Sequence, residues 1–150
     1  MEYSVRSYDE KRDYDFVWDL HLKENISYIN RHLAGTSLET IQGWFDESIP
    51  TYQGYIVEQK NERIGCYFLK EKDQSIFLRS FFLIDRVQNK GLGSELFSKM
   101  LSQFAATNKP FEIMVWTDNP VQNFWYKKGF IHYETDEDNL MKLRLNKDKK

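Results

Sequence analysis

Polar and apolar residues alternate from residue 2 to residue 8 (EYSVRSY), predicting a first strand, and the polar run DEKRD leads from it into a helix. In that helix Phe16, Val17, Leu20, Ile26 and Ile29 recur at helical spacing until Gly35 stops it. Thr36 or Ser37 then caps a second helix, which carries Leu38, Ile41, Trp44 and Phe45 on one face and ends before Pro50. Three segments rich in Ile, Val, Phe and Tyr follow, Tyr52 to Glu58, Arg63 to Lys70 and Ser75 to Ile84, and read as an antiparallel meander. From Leu92 the period lengthens: Leu92, Leu96, Phe97, Met100, Leu101 and Phe104 mark a helix that Asn108 and Pro110 end. Phe111 to Trp116 reads as a buried strand, Pro120 to Lys128 as a short helix ended by Gly129, and Phe130 to Glu134 and Leu140 to Leu145 as the last two strands. The order β-α-α-β-β-β-α-β-α-β-β describes a mixed α+β domain whose strand-helix-strand crossover spans residues 75 to 117.

A chain of 150 residues fits one domain, which we assign to residues 1–146, leaving residues 147–150 as a disordered basic tail. Both charge signs are spread along the chain and the formal net charge is −2, so no basic face invites a nucleic acid. The N-terminus lacks a basic start followed by an apolar region, and no uncharged stretch approaches bilayer length, which predicts a soluble, cytoplasmic protein without membrane contact, as monomer or homodimer. Cys66 is the one cysteine, set among Ile64, Tyr67 and Phe68 as a buried, inert strand residue. His21, His32 and His132 are too scattered to suggest a metal site.

The chemistry points to the crossover. Between the strand ending at Ile84 and the helix opening at Leu92 lies Asp85-Arg86-Val87-Gln88-Asn89-Lys90-Gly91-Leu92-Gly93. Glycines let a backbone approach a phosphate closely, and the free amides and dipole at a helix start favour an anion there. Lys90 and Arg86 would add positive charge. Two glycines could also serve only as a tight turn, but their place between a strong strand and an amphipathic helix favours the anion site. A dinucleotide fingerprint would need a third glycine where Leu96 stands, and a nucleoside-triphosphate loop would need Gly-Lys-Ser/Thr, whereas Lys90 precedes Gly91.

At these residues the chain resembles the GNAT superfamily of acetyl-CoA-dependent N-acetyltransferases. Gln88-Asn89-Lys90-Gly91-Leu92-Gly93 fits that family's Gln/Arg-x-x-Gly-x-Gly/Ala, and Thr117 to Phe130 looks like its segment in which an asparagine leads into a short helix ending Tyr-x-x-x-Gly-Phe. The order of elements agrees over nearly the whole chain. The resemblance implies a mainly antiparallel central sheet flanked by helices in a single domain, and acetyl-CoA as co-substrate with no metal. It further implies that the backbone of Phe82, Leu83 and Ile84 holds the pantetheine arm as an added strand, with Asn119 beside it. Gln88, Asn89, Lys90, Gly91, Leu92, Gly93 and Ser94 would hold the pyrophosphate, and Tyr126 would both contact the cofactor and assist thiolate departure. From composition alone Tyr126 is equally a core aromatic, standing among Phe124, Trp125 and Phe130.

One departure concerns the general base. Many family members carry a glutamate on the fourth strand, where this chain has Arg79, Ser80 and Phe81, and Glu24, His21 or Glu58 are the substitutes open to it. The family builds its acceptor pocket from the region Phe16 to Phe45, so that His21, Glu24 and Tyr28 are the candidate substrate contacts, with Trp44 and Glu47 nearby. That mixture of rings and acids suits a cationic amine, on a small molecule or a peptide. The expected activity is direct transfer of an acetyl group from acetyl-CoA to a primary amine, and the rival reading is a non-catalytic acyl-CoA-binding or regulatory module of the same fold.

Overall fold

A computed structural model describes residues 2–146, so the expected tail at 147–150 lies outside the described residues. The elements are β1 (Ser4–Ser7), α1 (Glu10–His32), α2 (Leu38–Ser48), β2 (Gln53–Gln59), β3 (Glu62–Glu71), β4 (Ile76–Leu83), α3 (Leu92–Gln103), β5 (Phe111–Trp116), α4 (Gln122–Lys127), β6 (Ile131–Thr135) and β7 (Leu140–Leu145). Their order is the one read from the sequence, with three single-turn 3₁₀ segments too short to leave a periodicity.

Local chemistry sets the boundaries. Asp9 caps α1 by accepting from Lys11 N, and Gly35, at φ +89°, supplies the left-handed turn after it. Ser37 is the cap of α2, its Oγ accepting from Thr40 N at 3.1 Å. The entry to α1 is also held by charge. Asp13, fully buried, accepts from both Arg6 Nη1 (2.8 Å) and Nη2 (2.9 Å) and from Asp9 N, while Arg6 Nε reaches Glu58 at 2.8 Å.

The seven strands form one sheet in the order β1-β2-β3-β4-β5-β7-β6, antiparallel throughout except between β4 and β5. Its inner strand β3 is covered on both faces. Ile64, Tyr67 and Leu69 join the core shared with α3 and α4, among them Leu96, Phe97, Met100, Phe111 and Trp125. Cys66 and Phe68 face the other layer, with Val17, Leu20 and Phe45 from α1 and α2. Cys66 is buried as expected, at 1% exposed, and burial pushes its thiol up to about 12, so it stays protonated at neutral pH.

The feature that positions the site is a fault in this sheet. β4 and β5 pair only at Ile76–Phe111 and Phe77–Glu112, while β5 keeps all six of its pairs with β7. The cause lies on β4 itself, in its ladder with β3. Between Cys66–Phe82 and Phe68–Arg79 the register shifts, so that Tyr67 alone faces both Ser80 and Phe81, and Ser80 takes φ +55°. An extra residue of this kind bends its strand, and here it turns the second half of β4 away from β5. Among the described residues no helix is long and apolar enough to cross a membrane.

Candidate active site

The gap between β4 and β5 is a cleft of about 990 Å³. Beyond Phe77 no backbone hydrogen bond links β4 to β5 among the described residues, so the inner edge of residues 78–83 is open to an extended ligand. At its far end Gln88 folds back and donates from Nε2 to Leu83 O at 2.8 Å, tying the glycine loop to the strand.

The loop has the geometry of an anion cradle. Asn89 (φ +61°) and Gly91 (φ +88°) are both left-handed, and Gly91 is the N-cap of α3 with no side chain capping the helix. The first amides of α3 therefore keep their donors. A Cβ built on Gly91 would meet nothing within 4 Å, and one built on Gly93 would stand 3.7 Å from the Phe124 ring. Gln88, Asn89, Gly91, Gly93 and Ser94 line the cleft, whereas Leu92 is buried in the core and Lys90 lies outside the lining. Arg86 does not serve the loop, since its guanidinium is held by Glu62. The cation at the helix start is instead Lys128, whose Nζ donates to Ser94 Oγ at 2.7 Å and lies 5.1 Å from the Phe124 ring centre. Nothing in the sequence marks Lys128 for this place, because its neighbour Ser94 is thirty-four residues away.

The other end of the cleft is formed by α1, α2 and the first half of β4. His21 and Glu24, one turn apart on α1, both line it, as do Trp44, Phe45, Tyr52 and Arg79. Burial first, and then the charge of Arg79, push the His21 imidazole down to about 4, so the ring is neutral at physiological pH. Burial raises Glu24 above the usual carboxylate range. Arg79 is itself desolvated, which holds it below the ordinary arginine value, and it donates from Nη1 to Ser48 Oγ at 2.5 Å. The other candidates lie elsewhere. Glu58 is paired with Arg6 at the β1–β2 edge, and Tyr28 stacks on Trp116 with ring centres 6.3 Å apart, so neither lines the cleft.

The helix α4 borders the cleft through Phe124 and Trp125, and Asn119 lines its approach with Oδ1 accepting from Val121 N at 2.9 Å. Tyr126 points elsewhere: it is 38% exposed, is absent from the lining, and its hydroxyl lies 3.9 Å from Met141 Sδ. The residue four before Gly129, as Tyr-x-x-x-Gly-Phe requires, is Trp125, which is 5% exposed and wedged between Phe81 and Phe97.

A sequence model of the GNAT acetyltransferase family matches residues 10–130. The chain belongs to that family. Among solved structures it is similar to an acetyltransferase from Streptococcus agalactiae (16% identity, 95% of this chain and 96% of the other covered, TM-score 0.70). It is likewise similar to a GNAT acetyltransferase from Elizabethkingia anophelis with acetyl-CoA bound (14% identity, 96% and 97% covered, TM-score 0.63). A third is the PaiA N-acetyltransferase of Thermoplasma acidophilum in complex with coenzyme A (17% identity, 97% and 99% covered, TM-score 0.66). At these identities the likeness is one of fold. No curated protein matches the sequence.

As a GNAT acetyltransferase the chain shows the expected mainly antiparallel sheet flanked by helices, with the glycine loop leading into α3 at the mouth of the splay. Of the residues singled out in the sequence, the structure brings Phe82, Leu83, Gln88, Asn89, Gly91, Gly93, Ser94, Asn119, His21 and Glu24 to one cleft. It leaves Tyr126 and Tyr28 outside, along with Ile84, Lys90 and the core residue Leu92.

Proposed function

We propose that this protein transfers the acetyl group of acetyl-CoA to a primary amine by direct attack, with cofactor and amine held in the cleft together. The observation that carries the reading is the continuity of one cleft, from the uncapped start of α3 to the ring-lined pocket under α1 and α2. The residues present fit the cofactor: an open, left-handed glycine before free helix amides suits a pyrophosphate, and an unpaired strand edge suits a pantetheine arm. Acetyl-CoA supplies the activated acyl thioester.

The chain's own residues supply position and proton transfer. Amides of Leu92 to Ser94 bind the diphosphate with Lys128 beside them, and the β4 edge at Phe82 and Leu83 with Asn119 fixes the arm. A backbone amide near the β4 bulge is the donor toward the carbonyl oxygen. Glu24 is the one carboxylate lining the cleft among the described residues, and its raised pKa suits it to take the amine proton. With Tyr126 against Met141, the departing thiolate takes its proton from solvent. We place the reaction in the cytoplasm.

The test is free-thiol release from acetyl-CoA across a panel of amines, with product confirmed by mass. Glu24→Gln should keep cofactor affinity and lower kcat by roughly 10²-fold, as expected for a lost general base. Coenzyme A binding without thiol release on any amine would favour the non-catalytic module.

A further inference from the structure

The strand positions where an acid was expected hold Arg79, Ser80 and Phe81, and the surroundings of the first are unusual for a guanidinium. It is half-buried on β4 and lines the cleft, yet among the described residues no carboxylate lies within salt-bridge distance of it. The other arginines with part-buried side chains in the sheet, Arg6, Arg63 and Arg144, each face an acid, at 2.8, 3.7 and 2.8 Å. Arg79 has instead only neutral neighbours, Ser48 Oγ as acceptor and Tyr52, whose hydroxyl faces the guanidinium and whose ring centre is 5.4 Å from Cζ. A guanidinium has five N–H donors, so most of the fork is left without an anionic partner. Taking such a group out of water without a counter-ion is unfavourable, and a ligand carboxylate on the fork would relieve it.

The rest of the pocket defines what that ligand looks like. Its lining offers one carboxylate, Glu24 on α1, and one guanidinium, Arg79 on β4. Between them lie His21, which is neutral, and the rings of Phe45 and Phe82, whose centres are 4.9 and 6.4 Å from that of His21. Trp44 and Phe77 extend the apolar wall. An amine alone would satisfy Glu24 and leave Arg79 bare.

We propose that the acceptor is an amino acid with an apolar side chain, its carboxylate received by Arg79 and its amine lying on the Glu24 side. The proposal rests on the acetyltransferase reading, which supplies the amine, and adds the anion. Arg79 is thereby a specificity-determining residue that contacts the substrate, with Tyr52 and Ser48 holding its fork in place.

The experiment uses matched acceptors: L-phenylalanine and L-leucine, their amides, and the corresponding amines without the carboxyl carbon. Thiol release should favour each acid over its amide and amine by roughly 10²-fold in kcat/KM, the scale of a desolvated charge-assisted pair. Arg79→Gln should remove that preference by raising KM for the acids, bringing their kcat/KM to that of the matched amines, while coenzyme A affinity changes less than about twofold. Arg79→Lys should restore part of it, since a point charge replaces the fork. Because Arg79 carries no ion pair, Arg79→Gln should also leave the melting temperature unchanged or raised, where a structural role would lower it.

A binding arm separates the two readings. Melting temperature is followed with N-acetyl-L-phenylalanine and with N-acetylphenethylamine, in the presence and absence of coenzyme A. A rise with the acid only, lost in Arg79→Gln, supports the carboxylate site even if no tested amine turns over. Equal rises, or none, together with equal turnover of acids and amides, overturn the carboxylate site while the transferase reading stands. Failure of coenzyme A to raise the melting temperature overturns the transferase reading instead.

Discussion

The glycine at the start of α3 can be tested with a pair of variants that differ only in charge. Gly91 sits at φ +88° and its added Cβ would point into empty space, so a side chain there is opposed by the backbone and by nothing else. Asn and Asp are the residues that tolerate the left-handed region best, and both are good N-caps. Gly91→Asn and Gly91→Asp should therefore fold with stability within about 1 kcal/mol of the parent. Toward a diphosphate they differ sharply. A carboxylate about 5 Å from one phosphate charge, at an effective dielectric near 20, is repelled by about 3 kcal/mol, or roughly 10²-fold in affinity. Coenzyme A at a hundred times the parental dissociation constant stabilises the parent by about 2.7 kcal/mol, a rise of roughly 5–10 °C for a domain this size. At the same concentration the Asp variant binds near its own dissociation constant and gains only about 0.4 kcal/mol, or roughly 1 °C. The Asn variant should keep a rise well above that, and high salt should narrow the gap between the two by screening. An Asp variant with the full parental rise, or equal losses in both variants, would refute a phosphate at this helix start.

Other outcomes follow from single side chains. Asp13→Ala leaves Arg6 at the α1 entry without its buried partner and should cost about 3–5 kcal/mol, read as a fall in denaturant midpoint. His21, pushed down to about 4 from 6.5, makes the unfolded state bind the extra proton first; stability present above pH 6.5 is lost as pH falls toward 4, by at most about 3 kcal/mol, and denaturation curves of His21→Gln should lose that slope. Tyr126→Phe should leave turnover within about twofold, since its hydroxyl faces Met141; a fall of roughly 10²-fold with unchanged cofactor affinity would mean that the hydroxyl reaches the sulfur after all.

Much of this architecture was legible because its signals are local. β5 and β7 run at the residues where the apolar runs begin and end, and the α2 cap is one of the two residues named for it. The place of the glycine loop between β4 and α3 was legible for the same reason, since glycine, strand end and helix start are contiguous. What the chain order hides is where a strand departs from its neighbour. The bulge at Ser80 has no sequence mark, because Ser80 is not a residue that seeks a positive φ, and the bulge decides which side of β4 faces the cleft. Tyr126 falls outside the cleft for a different reason, since the motif's count of four before Gly129 reaches Trp125. In a six-residue helix with Phe124, Trp125 and Tyr126 in succession, no periodicity distinguishes the buried ring from the exposed one. Tyr28 lies on the cleft-facing helix, yet the flat face of Trp116, 91 residues after Asn25 to which it donates, captures it.

The missing strand-four acid has a physical consequence that the cleft itself answers. In the proposed reaction an amine must lose its proton before it attacks; β4 carries Arg79, Ser80 and Phe81 where the family's acid was expected, and the cation Arg79 repels an ammonium. Burial works in the same sense on every ionisable group around it: it lowers His21, lowers Arg79 and raises Glu24, in each case against the charged form. An ammonium brought into that pocket meets the same desolvation and is pushed toward the neutral amine, so less is asked of the base. His21, near 4, cannot hold the released proton at neutral pH, whereas Glu24, with its affinity for protons raised, is the better receiver. In the proposed reaction, the environment that makes a glutamate on β4 dispensable is the one that makes an unpaired Arg79 unfavourable until the proposed substrate carboxylate arrives.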